Sequence, residues 1–405
     1  MSFRFRPADL PVVVTARAVS LLGDEVAALT LTLRLQSHGA GSGAVAALFI
    51  AALVPLVVLA PVTGRIVDSQ DSRRLLLTTG LVQAGLCVLL SMQTGTAAIL
   101  ALVLLLGVGQ ALNGATWQAL VPAIAGRERL ARAVGLTQAV ATIASVLSPA
   151  LAGLLYGRYG ARVPLLLDAA TFLIISAAAL VVRTRHGVEH GPEGARTRGG
   201  LGIVRGDPVL RPSLVLLTLF VGLGSMINVV DVFLVRGTLH ASATWYGVVG
   251  AVFALGLLGG SLCAGRIRDP QTLPRAFIAA ALVLGASLAC MGLARNVASL
   301  LPIAAVAGAA NGVLSVAVGT LVMGRAAEHV RGRVAAAVSA VASGAQIAAY
   351  ALGGALGAVL TPREVFAIGG MLGLLAPLLL GRRVLRAAAA PADAVASGVQ
   401  ADCAA

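Results

Sequence analysis

The sequence has little charge, few aromatic side chains and no lysine. Charged residues make up 11% of its 405 residues and aromatic residues 4%, whereas hydrophobic residues make up 58%. Soluble domains usually carry about 25% charged residues. A soluble fold of this size could not cover so much apolar surface, so the composition excludes a soluble globular protein.

Cysteine is scarce as well. Cys87, Cys263 and Cys290 fall inside apolar runs and Cys403 lies near the C-terminus, with no metal-site spacing and no disulfide framework. No metalloprotease, hydrolase or phosphate-loop pattern lies within an apolar run. We therefore expect a protein that is not an enzyme and that has no cofactor and no metal site.

All thirty basic residues are arginine, and the formal net charge is +14. The excess could suggest a nucleic-acid partner, but no basic nucleic-acid-binding module is visible. Twenty-three arginines fall in one set of alternate loops, six fall in the other set, and Arg17 lies within the first apolar run. By the positive-inside rule, the arginine-rich side is cytoplasmic. We expect no nucleic-acid partner, an even number of spans and both termini in the cytoplasm.

Long apolar runs recur along nearly the whole chain. A hydrocarbon core about 30 Å thick needs about 20 apolar residues per helix. We predict an all-α, multi-pass protein of the cell membrane, with the lipid bilayer as its partner and 12 transmembrane helices. The predicted spans are 10–34, 43–63, 75–93, 97–121, 133–156, 162–182, 212–236, 245–264, 275–293, 297–323, 334–360 and 364–381.

The two halves of the chain repeat each other weakly. Gly64–Asp68 recurs as Gly265–Asp269 at an offset of 201 residues, and Asn113 recurs as Asn311 at an offset of 198. Because each half has an even number of spans, the halves form two parallel six-helix repeats, the layout of a solute transporter. The predicted domains are an N-terminal bundle at 1–183, a cytoplasmic linker at 184–211, a C-terminal bundle at 212–383 and a cytoplasmic tail at 384–405. A monomer is expected.

The loop after the second span has a glycine, an aspartate four residues on and then two arginines. This pattern resembles the signature loop of the major facilitator superfamily, which implies the major facilitator fold and a cytoplasmic latch between the two bundles. Asp71 stands where the family usually has a second glycine, which resembles the exporter branch related to the enterobactin and macrolide efflux carriers. The residues assigned to the latch are Gly64, Asp68, Arg73, Arg74, Gly265 and Asp269.

Two further segments resemble that branch. Ser20–Asp24 is similar to its Ser-x-x-Gly-Asp opening. Ser148, Pro149 and Gly153 are similar to its Gly-Pro-x-x-x-Gly antiporter signature, with Ser148 in place of the first glycine. The resemblance implies a helix bend at Pro149 that shapes the gate and limits ion leak, while a structural role alone explains these residues equally well.

Charges inside apolar runs are costly, at about 2.5–3.5 kcal/mol each on insertion scales, and are therefore candidates for function. Arg17, Asp24 and Glu25 lie in the first span, and Arg17 and Asp24 are two turns apart on one face. Asp24 is the favoured site residue. Glu25 points about 100° away from it, so at most one of the two faces a cavity fully.

Two more aspartates lie in apolar runs. Asp231 in the seventh span either belongs to the site or pairs with Arg34 or Arg236, and Asp168 in the sixth span is expected to pair with Arg162. Neutral polar side chains complete the candidate site or serve as interhelical contacts. They are Gln110, Asn113, Gln138, Asn228, Asn311, Gln346 and Tyr350.

The resemblance implies a secondary exporter of a small amphipathic or hydrophobic molecule, such as a drug, antibiotic or siderophore-like compound. It would work by alternating access with protons as the coupling ion. Many family antiporters have an arginine in the fourth span, but Gly107–Gly114 has none, so coupling would depend on Asp24, Glu25 or Asp231. The alternatives are an importer or facilitator of a small nutrient and a non-transporting membrane receptor.

Overall fold

The computed structural model describes residues 9–181, 210–267, 272–325 and 331–389. These residues are almost entirely helical and include no β-strand. Lipid offers the backbone no hydrogen-bond partners, and an α-helix satisfies its backbone groups internally, so helices are the expected outcome for such an apolar chain. The predicted linker at 184–211 lies outside the described residues except for its last two.

Twelve α-helices are present in the described ranges, and a six-residue π-helix, Phe233–Thr238, follows α7. In chain order they are α1 (Asp9–Ser37), α2 (Ser42–Val58), α3 (Ala60–Ser69), α4 (Ser72–Met92), α5 (Thr96–Tyr159), α6 (Arg162–Val181), α7 (Leu210–Val232), α8 (Ala243–Ala264), α9 (Thr272–Gly292), α10 (Val297–Arg325), α11 (Arg331–Val359) and α12 (Pro362–Ala389).

The helices confirm the predicted all-α membrane fold. Ten helical stretches of the described chain are long and apolar enough to cross a membrane, and the pair α2–α3 provides an eleventh. The remaining predicted span corresponds to α1, whose 29 residues include charged side chains at several positions. This inventory is consistent with twelve spans, while the parallel orientation of the two repeats stays a prediction.

The second span is not the single helix that the sequence suggested. It consists of α2 and α3, which meet at Leu59 and are bent by 55° relative to each other. Pro61 lies in the first turn of α3. Proline has no N–H to donate to the carbonyl of Val57, and its ring clashes with that carbonyl, so the α2 helix cannot continue unchanged.

The fourth and fifth predicted spans are not separated by a loop. Helical structure continues through all 64 residues of α5, including the predicted connection at 122–132. A straight helix of this length would measure about 96 Å, far more than one hydrocarbon layer. The helix therefore contains two spans, Thr96–Val121 and Gly135–Tyr159. Arg, Glu, Leu and Ala dominate the connection, and their high helix propensity explains its helical structure.

The chain divides into two compact units. Unit 1 contains the described residues up to 181 together with Val235–Ala251, and unit 2 contains the described residues from 210 to Leu234 and from Val252 onward. The division passes through α8, whose first residues pack with unit 1. The domain boundaries inferred from the sequence stay a prediction.

Unit 1 is held together by α1, α4, α5 and α6. α1 packs against α5 and α6, and α4 packs against α6. Buried apolar side chains, including Trp117 and Phe172, form a core between α4, α5 and α6. Gly80 of α4 lies against Phe172 and Ser176 of α6, and this close contact leaves no room for a larger side chain.

Unit 2 depends on helix pairs that approach each other through glycine. α9 packs against α10 and α12, and α7 packs against α11. On α8, Gly256 and Gly260 face the backbone of α10, and Gly308 and Gly312 of α10 face the backbone of α8 in return. Small residues spaced by four allow such contacts in lipid, where association relies on close packing.

A substitution pair on α8 tests this packing. A methyl group on Gly260 would lie 2.7 Å from the carbonyl carbon of Ala309, whereas one on Gly259 would have no neighbour within 4 Å. We expect Gly260→Ala to reduce stability by about 1–3 kcal/mol through overpacking. The matched control Gly259→Ala should leave stability unchanged or raise it by up to about 1 kcal/mol. Thermal unfolding of both variants in detergent measures the difference, and equal melting temperatures would contradict the close contact.

Candidate functional site

Asp24 lies on the face of α1 that also carries Arg17 and Ser20. Its carboxylate is half-buried and accepts a hydrogen bond from the side chain of Gln110 on α5. Arg17 interacts electrostatically with Asp24, yet its Nη1 atom is buried and has no hydrogen-bond partner in the described part of the chain. The hydroxyl of Ser20 is also buried without a partner there. This face therefore combines a charged pair with unused hydrogen-bonding capacity.

Glu25 differs from its neighbour. Its side chain is exposed, whereas Asp24 is half-buried between helices. A rotation of about 100° per residue around the helix accounts for the difference.

Asn113 of α5 is 1% exposed, and both polar atoms of its side-chain amide form hydrogen bonds with α4. Its Nδ2 donates to Gln83 Oε1, and its Oδ1 accepts from the hydroxyl of Thr79 at 2.7 Å. Gln83, which is fully buried, donates in turn to the carbonyl oxygen of Leu106 at 3.5 Å. The amide of Asn113 thus joins two helices.

Asp168 of α6 does not pair with Arg162, contrary to the sequence-based expectation. Six residues along a helix place two side chains about 120° apart, and Arg162 is exposed while Asp168 is 3% exposed. Oδ2 of Asp168 accepts from the Cys87 thiol of α4 at 3.4 Å, and Oδ1 accepts from the Thr171 hydroxyl at 3.2 Å. The carboxylate also lies against Gly23, where a methyl group would be 2.5 Å from Oδ1.

One of the latch arginines has a structural partner. Arg73 donates from Nη2 to the carbonyl oxygen of Leu180 at 2.7 Å. Leu180 lies in the last turn of α6, where carbonyls have no partner within the helix. Asp71 caps the start of α4 by accepting a hydrogen bond from the backbone N–H of Arg73 at 2.9 Å. The segment therefore ties the start of α4 to the end of α6.

The other latch residues are more open. Gly64 is half-buried, and a methyl group at its position would have no neighbour within 4 Å. Asp68 and Arg74 are exposed. Gly265 is exposed, and Asp269 lies outside the described residues. Their role as a latch stays a prediction.

The antiporter-like segment of α5 packs against the first turns of α8. A methyl group on Gly153 would lie 2.7 Å from the carbonyl oxygen of Ala243, and Pro149 contacts Gly247 and Gly250. Ser148 is buried and donates to the carbonyl of Ser145 at 3.4 Å. Gly153 therefore permits a close helix contact, and the bend at Pro149 stays a prediction.

The remaining candidates are spread over several helices. Gln138 of α5 and Asn228 of α7 are exposed, although buried residues flank Asn228. Asp231, Asn311 and Gln346 are half-buried, and Tyr350 is buried. Asp231 and Tyr350 both have interaction partners. Arg34, one suggested partner of Asp231, donates to the carbonyl oxygen of Leu90 at 3.1 Å.

α4 has a polar face that was not predicted from the sequence. Thr79, Gln83 and Cys87 are spaced by four residues, which places them on one side of the helix, toward Asn113 and Asp168. We call these five residues the polar seam. A search of the apolar run for polar residues spaced by four would have found the α4 side of the seam. In the described ranges, no group of three or more His, Cys, Asp or Glu side chains is placed to hold a metal ion.

Comparison with known proteins gives concordant results. The family model described as Major Facilitator Superfamily matches residues 13–269 and 214–400. Macrolide efflux protein A of Enterococcus faecalis is 23% identical over 272 residues, which cover 65% of this chain and 82% of that protein. Macrolide efflux protein A of Streptococcus pyogenes is 21% identical over 296 residues, 71% of each chain.

A solved structure shares the fold. The crystal structure of a bacterial homologue of the iron transporter ferroportin, in an inward-facing state, aligns with a TM-score of 0.71 at 13% identity. The alignment covers 95% of this chain and 99% of the other. At this identity the similarity concerns the fold alone.

A double-mutant cycle tests the contact between Asn113 and Gln83. Asn113→Leu and Gln83→Leu should each destabilise the protein, because each leaves a buried amide without its partner. The double variant should lose less than the sum of the two, with a coupling of about 0.6–1.7 kcal/mol, as for polar contacts between membrane helices. Unfolding in mixed micelles provides the free energies of the wild-type protein, both single variants and the double variant, and strict additivity would rule out the bond.

Adjacent arginines offer a matched test of the α4–α6 connection. Arg73→Ala removes the donor to Leu180, so backbone amides near the end of α6 should exchange with deuterium about 5-fold faster or more, as expected for loss of about 1 kcal/mol of local stability. Arg74→Ala should leave this exchange unchanged because Arg74 is exposed. Identical exchange in both variants would show that the bond does not stabilise this helix end.

Proposed function

Because the chain belongs to the Major Facilitator Superfamily, we propose that it exports a small amphipathic or hydrophobic molecule by alternating access, driven by proton entry. Membership in this family makes it a multi-pass membrane transporter and not an enzyme. The direction of transport, the class of substrate and the coupling ion are parts of the proposal.

Export of an amphipathic molecule is supported by two relatives. Both are named as macrolide efflux proteins, and the similarity extends over 65–71% of this chain. Macrolide-like or otherwise amphipathic compounds are therefore the first substrates to test. The family also contains importers, so direction has to be measured.

The hydrogen bond between Gln110 and Asp24 is the observation that carries the proposed proton coupling. A charge in a membrane span costs about 2.5–3.5 kcal/mol on insertion scales, and such residues commonly mark ion pathways. Protonation would remove the negative charge of Asp24 and weaken its attraction to Arg17. A group whose interactions differ between two conformers shifts the balance between them when it binds a proton.

The fourth span supports the choice of Asp24 over an arginine-based mechanism. Gly107–Gly114 lacks the arginine of many family antiporters, and the polar side chain that reaches Asp24 from this segment is Gln110. A neutral amide can donate a hydrogen bond to either form of the carboxyl group. It therefore orients Asp24 without fixing its charge.

The proposed topology follows from the arginines. Twenty-three of the thirty lie in one set of alternate loops, which we assign to the cytoplasm together with both termini. The bundle-linking latch at Gly64, Asp68, Arg73 and Arg74, with Gly265 and Asp269 in the second half, is part of the same proposal. A cell-membrane location and a monomeric state complete it.

The proposal is tested in proteoliposomes with an acidic interior and a radiolabelled macrolide outside. Proton efflux should drive macrolide accumulation by the wild-type protein, and Asp24→Asn should abolish accumulation while preserving expression, because asparagine cannot bind the proton. Glu364→Gln is the control, since that exposed carboxylate lies at the start of α12, where it accepts hydrogen bonds from Thr361.

Each failure of this experiment has a separate meaning. Wild-type rates in Asp24→Asn would reject Asp24 as the coupling residue. If the wild-type protein moved no macrolide, the proposed substrate class would be wrong. Accumulation that requires an alkaline interior would contradict export by proton antiport.

A further inference from the structure

Asp168 is the least exposed acidic residue of the described chain, and the mechanism proposed above gives it no function. It is 3% exposed. Its hydrogen-bond partners are the Cys87 thiol and the Thr171 hydroxyl, which also donates to the Asp168 backbone carbonyl at 2.8 Å, and its third neighbour is the backbone of α1 at Gly23. All three are uncharged.

No arginine of the described chain forms a hydrogen bond or an ion pair with Asp168. Its own helix offers only Arg162 at its start, which is exposed. On α4 the charged residues are Arg73 and Arg74 in the first turn, and the stretch of α5 from Leu106 to Trp117 has none.

The charged residues of α1 do not supply a cation to Asp168 either. In the span they are Arg17, Asp24, Glu25 and Arg34. Arg17 interacts with Asp24, Glu25 is exposed, and Arg34 bonds to the end of α4. Asp24 is adjacent in sequence to Gly23, and its charge acts on Asp168.

These surroundings disfavour two negative charges. An ionised carboxylate in an apolar interior is very costly unless it is paired, and a buried group without a counter-ion becomes neutral instead. Two neighbouring carboxylates also resist simultaneous ionisation. Arg17 stabilises the charge on Asp24, whereas the groups that contact Asp168 are neutral.

We propose that Asp168 is a second proton-binding residue of the transporter, coupled to Asp24 across the contact between α1 and α6 and protonated in the state described. This inference rests on the proposed proton coupling. Binding forms one O–H bond on the Asp168 carboxylate and removes one negative charge, and release returns the proton to water. Ionisation of Asp168 is favoured when Asp24 is neutral, so each residue responds to the charge of the other.

Cys87 provides a built-in reporter of this proton. Of the described cysteines, Cys87 is buried, while Cys263 and Cys290 are exposed. The S–H stretching band of a thiol shifts when its acceptor changes from a neutral acid to a carboxylate, because the charged acceptor forms the stronger hydrogen bond. A pH titration should therefore move this band together with the carbonyl band of the acid.

Infrared difference spectroscopy on the full-length protein in lipid tests the proposal. The wild-type protein should show the carbonyl band of a protonated carboxylic acid that is lost at alkaline pH, with a simultaneous shift of the S–H band. Asp168→Asn should lose the carbonyl band. Asp24→Asn should lose it at lower pH than the wild-type protein, because removal of the neighbouring negative charge favours ionisation of Asp168.

The Cys87→Ala variant keeps the test decisive if Asp168→Asn does not fold. Removal of the thiol donor should shift the carbonyl band, and Cys263→Ala should leave it in place. A missing band in the wild-type protein, a band that survives Asp168→Asn, or a band that is unaffected by Cys87→Ala would overturn the assignment.

The spectra need neither substrate nor gradient. A failure of macrolide transport with these bands intact would reject the proposed substrate class and leave the proton site standing.

Discussion

The hydrocarbon layer gives a polar group no partner, and each such group in a span has to find one within the chain. Helix formation solves this for most of the backbone. The last carbonyls of each helix are exceptions, and three arginines bond to them or just beyond them: Arg34 to Leu90, Arg73 to Leu180 and Arg363 to Ala294. Guanidinium groups reach such carbonyls well because they carry several donors on a long side chain. Some of the arginines thus connect the ends of helices, in addition to any effect that they have on the orientation of the chain in the membrane.

The need for a hydrogen-bond partner is met differently in the polar seam and on the face of α1 that carries Asp24. In the polar seam, Asn113, Gln83 and Thr79 satisfy one another, so this region behaves as a fixed connection between α4 and α5. On α1, Arg17 Nη1 and Ser20 Oγ remain without partners among the described residues. Unpaired buried donors are costly, and they are not confined to this face, since Trp117 Nε1 in the core of unit 1 is another. The unused donors beside Asp24 fit its proposed role, because a residue that exchanges partners during a transport cycle needs such donors nearby.

Much of this fold could be predicted because apolar length is a local property of the sequence. Each predicted span corresponds to helical structure, and the errors occurred where proline or helix propensity modified a boundary, as in the bend before Pro61 and the helical connection inside α5. The contacts of the candidate site were harder to predict, because contacts between helices depend on the rotation of each helix about its axis and on its depth in the membrane. Asp24 was selected as a candidate from its charge and from Arg17 and Ser20 on the same face, but its contact with Gln110 was not foreseen. The predicted pair of Asp168 and Arg162 is wrong, because their spacing puts them on different faces of α6. Asp168 instead contacts Cys87, which lies on another helix.

The two units have similar helices but different electrostatics. In unit 1, Asp24 and Asp168 both lie in membrane spans, and both are withdrawn from solvent to different degrees. In unit 2, the acidic residues of the described spans are Asp231 in α7 and Glu364 in the first turn of α12. The helices of unit 2 are joined instead by glycine contacts that involve no ionisable group. Under the proposed proton coupling, a change in the charge of Asp24 or Asp168 would alter interactions among α1, α5 and α6, because the burial of charge in lipid, unlike the packing of small residues, depends on pH.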